Sequence, residues 1–165
     1  MNKGRILQAR QQGNLILRFL GDVRLTLCPS LDAFLETVYQ GGDLRAVVVD
    51  LSEVEGVDST TLGLLAKMTI RLKRDFKIIA SIISVNPDIT RLLLSMGFDQ
   101  IFIICQKPLT TAEQLDEIPM IECAEETVRE QIIQAHKILM DLNEKNKAQF
   151  QELMAILQQN GTNSG

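Results

Sequence analysis

The feature that most constrains this chain is a series of short apolar runs separated by segments with helical periodicity. The runs are AVVVDL at 46–51, FKIIASIISV at 76–85 and FDQIFIIC at 98–105. Each is rich in Val or Ile and holds few polar residues, which is typical of strands covered on both faces of a sheet. Strands that alternate with helices at this spacing predict an α/β fold in which helices pack against the sheet.

Two further runs precede this series. Asn14–Phe19 and Asp22–Leu27 predict a β-hairpin that turns at Leu20–Gly21. A helical pattern then begins after Ser30, a candidate N-cap, and stops at Gly41–Gly42. The expected architecture is therefore a mixed sheet of about four to five strands with packed α-helices, followed by a C-terminal helical extension.

The later helices of the main domain have clear boundary signals. Asn86 and Pro87 fit the N-cap and the first position of a helix, and Gly97 fits the position just beyond its end. Another helix begins near Ser59. One stripe of this helix is expected to face the sheet, and its members are Leu62, Leu65, Ala66, Thr69 and Leu72.

The last third of the chain differs in composition from the rest. Residues 1–110 contain 13 Lys+Arg and 11 Asp+Glu, whereas residues 111–165 contain 4 and 10. Apolar residues in this part follow a heptad spacing, which predicts a long amphipathic helix or two helices bent near 143–147. They are Val128, Ile132, Ala135, Leu139, Leu142, Leu153 and Ile156. Packing back on the domain and forming a coiled coil with a second copy or a partner are both consistent with this pattern.

At 165 residues, the chain is long enough for one domain with an extension. The patterns predict a main domain over 1–107, a linker over 108–122, an amphipathic helical extension over 123–160 and a disordered tail over 161–165.

Composition argues against several classes of protein. The longest mainly apolar stretch, 78–85, is far shorter than the roughly 20 residues of a membrane helix. The N-terminus also lacks the pattern of a signal peptide, so we expect a cytoplasmic protein that does not bind a membrane. The acidic balance and 4% aromatic content disfavour nucleic-acid binding. Cys28, Cys105 and Cys123 lack CxxC spacing, so we expect buried or half-buried thiols, no metal site and no cofactor.

The junction VDSTTLG at 57–63 places hydroxyls at the start of a helix. Asp58 is expected to cap that helix by accepting from the amide of Thr60 or Thr61. Ser59 would then lie beside unpaired amides at the positive end of the helix dipole, where a phosphate could be accommodated. Such a phosphate would add about two negative charges beside Glu53, Glu55 and Asp58. Burying that charge in an interface costs several kcal/mol, which would prevent binding while the fold survives.

The run VVVDLSEVEGVDSTTLGLLAKM, followed by a second β run and NPDITRLLLSMGFDQIFII, resembles the STAS family of bacterial anti-sigma factor antagonists. The resemblance covers roughly residues 10–107. In that family a helix opens with Asp-Ser-Ser/Thr-Gly-Leu-Gly, and the matching residues are Asp58, Ser59, Thr60, Leu62 and Gly63. Thr61 stands where many relatives have Gly, and its branched side chain is expected to narrow access to the helix N-terminus.

The resemblance implies a function in partner switching. In such proteins the unphosphorylated form binds an anti-sigma factor and thereby frees a sigma factor. A partner serine/threonine kinase phosphorylates the Ser that follows the Asp, here Ser59, and a PP2C-type phosphatase restores binding. The resemblance is to proteobacterial members with a helical C-terminal extension, and it implies that the chain itself catalyses no reaction.

A partner surface can be predicted next to Ser59. Thr60, Leu64, Lys67, Met68 and Arg71 lie off the sheet-facing stripe of their helix and are expected to be more exposed. Leu64 and Met68 would form a small apolar patch flanked by cations, suited either to docking a partner or to packing against the C-terminal helix. Glu55 and the loop around Asn86 are expected to complete the surface.

Three other functions compete with this interpretation. An enzyme with Ser59 as nucleophile would need a base, but the sole histidine, His136, is expected to face solvent in the C-terminal helix, and no GxSxG motif surrounds the serine. Nucleotide binding lacks both GxxxxGK[ST] and GxGxxG. A STAS domain that is never phosphorylated, serving as a scaffold or a subunit of a transport complex, remains an alternative.

Overall fold

The computed structural model describes residues 2–107 and 114–162, and it confirms an α/β fold with a C-terminal helical extension. Its sheet has six strands in the order β5-β4-β3-β2-β1-β6, rather than the expected four or five. The strands are β1 (Arg5–Gln11), β2 (Asn14–Val23), β3 (Ala46–Val57), β4 (Ser81–Ile83), β5 (Ile103–Cys105) and β6 (Asp116–Glu117). The helices are α1 (Cys28–Gly41), α2 (Ser59–Arg71), α3 (Pro87–Ser95), α4 (Glu125–Leu142) and α5 (Glu144–Thr162).

The predicted hairpin at Leu20–Gly21 is wrong. The turn instead lies at Gln12–Gly13, both with positive φ, and joins β1 to β2 in antiparallel pairing. Glycine tolerates this backbone conformation and is the usual solution in tight turns. Gly21 also has positive φ, but it lies inside β2 next to a shift in register against β3. The glycine therefore marks a bulge in a long strand and not its end.

The acidic segment that follows Leu51 is also a strand and not a loop. β3 continues to Val57, where it pairs in parallel with Val23 at the end of β2. Two other predicted strands are shorter than expected. Leu72–Phe76 forms a π-helical turn that prolongs α2, and Phe98–Gln100 forms a 3-10 turn before β5. Since β2, β3 and β4 are parallel, α2 and α3 both begin beyond the same edge of the sheet.

The predicted helix boundaries in the main domain are largely confirmed. α1 begins at Cys28, two residues before the expected cap Ser30, and ends at Gly41 with Gly42 in the left-handed conformation. The side chain of Asn86 accepts a hydrogen bond from the Asp88 amide and Pro87 opens α3. Gly97 has a φ of 84° just beyond the end of this helix.

The C-terminal helices pack on the domain as a hairpin, hereafter the C-terminal hairpin (α4 and α5). The chain bends at Asn143, within the range predicted from the sequence. Ala135 and Leu139 of the predicted seam are buried, but Leu153 and Ile156 are exposed, and Phe150 and Met154 are buried instead. This face packs on α2 and the end of α3. None of the helices in the described residues combines the length and apolar character needed to cross a bilayer.

Candidate functional site

Asp58 fixes the start of α2 through several hydrogen bonds. Its Oδ1 accepts from the Thr61 amide at 2.9 Å and from the Thr61 hydroxyl at 2.7 Å, which confirms the predicted cap. Its Oδ2 accepts from the Leu25 amide at 2.7 Å, in the turn that follows β2. The carboxylate therefore joins the ends of two neighbouring parallel strands and holds the first turn of α2 in place.

Ser59, the first residue of α2, is in direct contact with the C-terminal hairpin. Its hydroxyl lies 2.8 Å from Nε2 of His136 in α4, 77 positions away in the sequence. Ser59 is half-buried, and His136 is only 2% exposed. The expectation that His136 faces solvent is therefore wrong, because α4 packs on α2 with the face that contains this histidine.

The direction of the Ser59–His136 hydrogen bond follows from the other ring nitrogen. Nδ1 of His136 lies 2.7 Å from the main-chain carbonyl oxygen of Ile132. A carbonyl oxygen only accepts, so Nδ1 carries the proton, and in the neutral ring Nε2 has a free lone pair. The Ser59 hydroxyl consequently donates to Nε2. The ring is further held by Phe150 of α5, which lies edge to face with it at 5.0 Å between centroids.

The surface of α2 next to Ser59 is covered by α4. We call this surface the α2 face and define it by Thr60, Gly63, Leu64, Lys67 and Met68. Leu64 is 7% exposed and Met68 is 1% exposed, so the prediction that they form an exposed patch is wrong. Thr60, also expected to be exposed, is buried. The sequence left a second possibility, namely that Leu64 and Met68 pack against the C-terminal helix. The structure agrees with that possibility, because α4 packs on α2.

The closest approach of the two helices is at Gly63 and Ala135. A Cβ placed on Gly63 would lie 2.4 Å from the Ala135 carbonyl oxygen and 2.5 Å from its Cβ. Atoms cannot approach so closely, so position 63 admits only glycine while α4 is docked. The second Gly of the motif therefore serves the packing of this helix pair.

Lys67 and Arg71, predicted as partner contacts, are half-buried and already engaged. Nζ of Lys67 lies 3.4 Å from Asp32 in α1 and 3.1 Å from the side-chain oxygen of Gln134 in α4. Arg71 pairs with Glu36 at 2.7 Å, and its guanidinium lies 4.1 Å from the centroid of the Tyr39 ring.

Glu55 and Asn86 lie on two different parts of the sheet edge. Glu55 is exposed near the end of β3 and accepts hydrogen bonds from the amide and side chain of Asn2. Asn86 follows β4, whose last residue Ile83 pairs with Asp50, well before the end of β3. The longer β3 therefore separates Asn86 from Ser59 along the strand direction.

Thr61 and Cys28 are buried and in contact with each other near the N-terminus of α2. Thr61 is buried and its hydroxyl lies 3.6 Å from Sγ of Cys28. Burial raises the pKa of the Cys28 thiol to about 12. Cys105 is half-buried, but Cys123 is exposed, contrary to the expectation for the three thiols.

The cavity between α2 and α4 has little room for a substrate, and neither Ser59 nor His136 lines it. The space between α2 and α4 that is lined by Cys28, Gly63, Lys67 and Gln134 has a volume of about 10 Å³. That volume holds about one water molecule. His136 is also oriented by a main-chain carbonyl and not by the carboxylate that a catalytic triad would use. Within residues 2–107 and 114–162, no group of three or more His, Cys, Asp or Glu is placed to bind a metal ion.

Residues 6–106 match the protein-family model described as "Mlab, STAS domain". The chain belongs to the STAS domain family. Its fold is similar to that of an anti-sigma factor antagonist from Mycobacterium paratuberculosis, with 22% identity, a TM-score of 0.55 and coverage of 64% of this chain and 87% of that one. The anti-sigma factor antagonist SpoIIAA in its unphosphorylated form gives 14% identity, a TM-score of 0.49 and coverage of 60% and 85%. No curated protein matches the chain by sequence.

The STAS match ends before the C-terminal hairpin, and the residue that sequence reasoning missed lies in that hairpin. His136 is adjacent to Ala135 of the predicted seam, and this adjacency was the available signal. The heptad pattern predicts that one face of α4 is buried, but it does not predict which part of the STAS domain that face covers.

Proposed function

We propose that this STAS protein is an anti-sigma factor antagonist. In this proposal the unphosphorylated chain binds an anti-sigma factor and so releases a sigma factor. A serine/threonine kinase phosphorylates Ser59 to end binding, and a PP2C-type phosphatase restores it. The observation that supports the proposal best is the position of Ser59, at the N-terminus of α2 immediately after its capping aspartate. The chain acts in the cytoplasm as a binding protein and not as an enzyme.

The local structure supports a modification that alters binding while the fold remains. Asp58 holds the first turn of α2 with hydrogen bonds that do not involve the Ser59 hydroxyl. The side chain of Ser59 can therefore change without loss of the cap. A phosphate there would add about two negative charges beside Asp58. An interface that buries this unpaired charge loses several kcal/mol, and each 1.4 kcal/mol weakens binding tenfold.

The proposed partner surface surrounds the end of β3 and the start of α2. Glu55 is exposed there and, together with Asp58 and Thr61, shapes the loop at which the partner would contact Ser59. Lys67 and Arg71, further along α2, and Asn86, at the start of α3, would contribute polar contacts. Leu64 and Met68, which were predicted as contacts, are buried in the unmodified protein and are not part of this surface.

Affinity capture with the full chain tests the proposal. Four baits are compared: the unmodified protein, Ser59→Ala, a protein with phosphoserine encoded at position 59, and one with phosphoserine at position 37. Thr37 is exposed on α1 and controls for added charge. We expect the unmodified, Ser59→Ala and position-37 baits to retain an anti-sigma factor and the position-59 bait to bind it about 100-fold more weakly. Equal retention by all four would contradict the proposal.

A second function is consistent with the STAS family match, which does not itself require phosphorylation. In this alternative the chain is a STAS subunit of a transport complex or a scaffold, and Ser59 is never phosphorylated. The same capture separates the two functions. Retention of the same partner by the unmodified and phosphorylated baits alike would favour the alternative.

A further inference from the structure

The contact between Ser59 and the C-terminal hairpin leaves no space for a group attached to the serine oxygen. The hydroxyl donates directly to Nε2 of His136 at 2.8 Å, so no atom lies between them. A phosphoryl group would place a phosphorus and three further oxygens in that gap. His136 is buried and packed against Phe150, so the ring has little freedom to withdraw while α4 stays in place.

The charged and polar groups around the Ser59 hydroxyl also disfavour a phosphate while α4 is docked. Nδ1 of His136 donates to the Ile132 carbonyl, so its Nε2 presents a lone pair to Ser59. The neighbouring Asp58 is a carboxylate whose oxygens already accept from Leu25 and Thr61. An anionic phosphate would therefore lie beside the Asp58 carboxylate, and the serine proton that Nε2 now accepts would be lost.

We propose that phosphorylated Ser59 and a docked C-terminal hairpin are mutually exclusive. The unmodified protein holds α4 on the α2 face. A phosphate on Ser59 displaces α4 and uncovers Leu64 and Met68. This inference rests on the proposed function only in taking Ser59 as the modified residue, and it adds that phosphorylation exchanges one binding surface for another.

The helix pair is suited to such a change because its tightest contact is made by small residues. Gly63 and Ala135 meet backbone to backbone, so an added methyl group at position 63 would separate the helices. The other polar link across the interface, from Lys67 to Gln134, is made by side chains that can also be satisfied by water or by Asp32. The sheet and α2 retain their own core when α4 leaves, since Leu62, Leu65 and Ala66 are buried in the same hydrophobic cluster as residues of the central strands.

Access of a kinase to the serine hydroxyl depends on how often α4 leaves the α2 face. A kinase must reach an oxygen that is half-buried and hydrogen-bonded under α4, so it acts on the fraction of molecules in which α4 has opened. The apparent rate of modification is then reduced by that fraction. Any change that opens α4 without touching Ser59 should increase the reactivity of position 59.

Hydrogen exchange measured by mass spectrometry on the full chain tests the exclusion. Four forms are compared: unmodified, phosphoserine at position 59, phosphoserine at position 37, and Gly63→Ala. We expect peptides from α4 to exchange about tenfold faster in the position-59 and Gly63→Ala forms, while peptides from β2 and β3 are unchanged. The position-37 form should match the unmodified protein.

Three results would overturn the proposal. One is unchanged or slower exchange of α4 after phosphorylation of Ser59, which would mean that His136 pairs with the phosphate. Another is unchanged exchange in Gly63→Ala. The third is loss of protection in β2 and β3 together with α4 in both forms, because the hairpin would then be an inseparable part of the core.

A chemical probe tests access to position 59 without any phosphate or kinase. Ser59→Cys is treated with iodoacetamide, and alkylation at position 59 is quantified by peptide mass, with and without Gly63→Ala. We expect about tenfold faster alkylation when Gly63→Ala is present, and equal rates would contradict the gating by α4. Because alkylation needs no partner, its result tests the gating by α4 independently of the anti-sigma function.

Discussion

The side-chain amide of Asn146 donates a hydrogen bond of 2.8 Å to the main-chain carbonyl oxygen of Met96, 50 positions earlier in the chain. The same nitrogen donates to the carbonyl oxygen of Leu139 at 2.9 Å. Asn146 is fully buried, and it ties the bend of the C-terminal hairpin to the end of α3. Polar contacts thus hold the hairpin at this asparagine, between His136 and Ser59, and between Gln134 and Lys67.

Asn146→Ala should destabilise the protein by about 2 kcal/mol, because two buried carbonyl oxygens lose their donor. Urea unfolding followed by circular dichroism measures this change. Gln149→Ala is the matched control, since Gln149 is exposed on the same helix and its loss should change the free energy of unfolding by less than about 0.5 kcal/mol. Equal effects of the two substitutions would show that the amide of Asn146 does not hold the hairpin.

Asp58→Ala should cost about 2 to 4 kcal/mol of unfolding free energy, because the cap of α2 and the link to Leu25 are lost together. Asp58→Asn should cost less, since an amide keeps one acceptor oxygen for the helix. Asp88→Ala is the control, because Asp88 lies in the first turn of α3 and is largely exposed. A loss for Asp58→Ala no larger than that of Asp88→Ala would refute the linking role of this carboxylate.

The three thiols should react in an order set by burial. Burial raises the pKa of Cys28 to about 12, whereas Cys105 is half-buried and Cys123 is exposed. At pH 8 we expect Ellman's reagent to modify Cys123 first and Cys28 only after unfolding, as resolved by peptide mass.

The raised pKa of Cys28 should also make the stability of the protein depend on pH in the alkaline range. An unfolded thiol ionises near pH 8.5. The folded protein keeps the Cys28 proton up to about pH 12, so its contribution to stability is complete at neutral pH and is lost as the pH rises through this range. Replacement by Ala should flatten this part of the stability profile. Rapid modification of Cys28 in the folded protein would contradict the burial that underlies both expectations.

Local signals in the sequence predicted the parts of the fold that depend on local chemistry. Asp58, Asn86 and Gly97 lie where their capping roles were expected, because a cap is decided by a few neighbouring residues. The α/β class followed in the same way from the Val-rich and Ile-rich runs. Ser59 was found because it follows a capping aspartate in a motif that STAS proteins share.

The errors all involve contacts between distant segments. The acidic residues after Leu51 form part of β3 because β2 continues beside them as far as Val23, which a local pattern does not reveal. The chain was expected to turn at Gly21, but this glycine instead accommodates a shift in register. Leu64 and Met68 have the spacing of an exposed stripe, but both are buried in a helix on which α4 packs.

The contact of His136 with Ser59 could not be predicted from the sequence for the same reason. A lone histidine beside an apolar seam gives no indication of its partner, and Ser59 is 77 positions away. The heptad spacing predicted that Ala135 is buried. It did not indicate that Ala135 would meet Gly63, the contact that sets the rotation of α4 and directs the histidine to the serine.

The ring of His136 reports most directly on whether Ser59 and the C-terminal hairpin form one switch. It is the only histidine of the chain, so ¹⁵N NMR of selectively labelled protein observes it without overlap. In the unmodified protein we predict an immobile ring with a proton on Nδ1, held by the Ile132 carbonyl, and with Nε2 hydrogen-bonded to Ser59. With phosphoserine at position 59, the ring should give the averaged shifts and rapid solvent exchange of an exposed histidine. A ring that stays immobile and protonated on both nitrogens beside the phosphate would contradict the account.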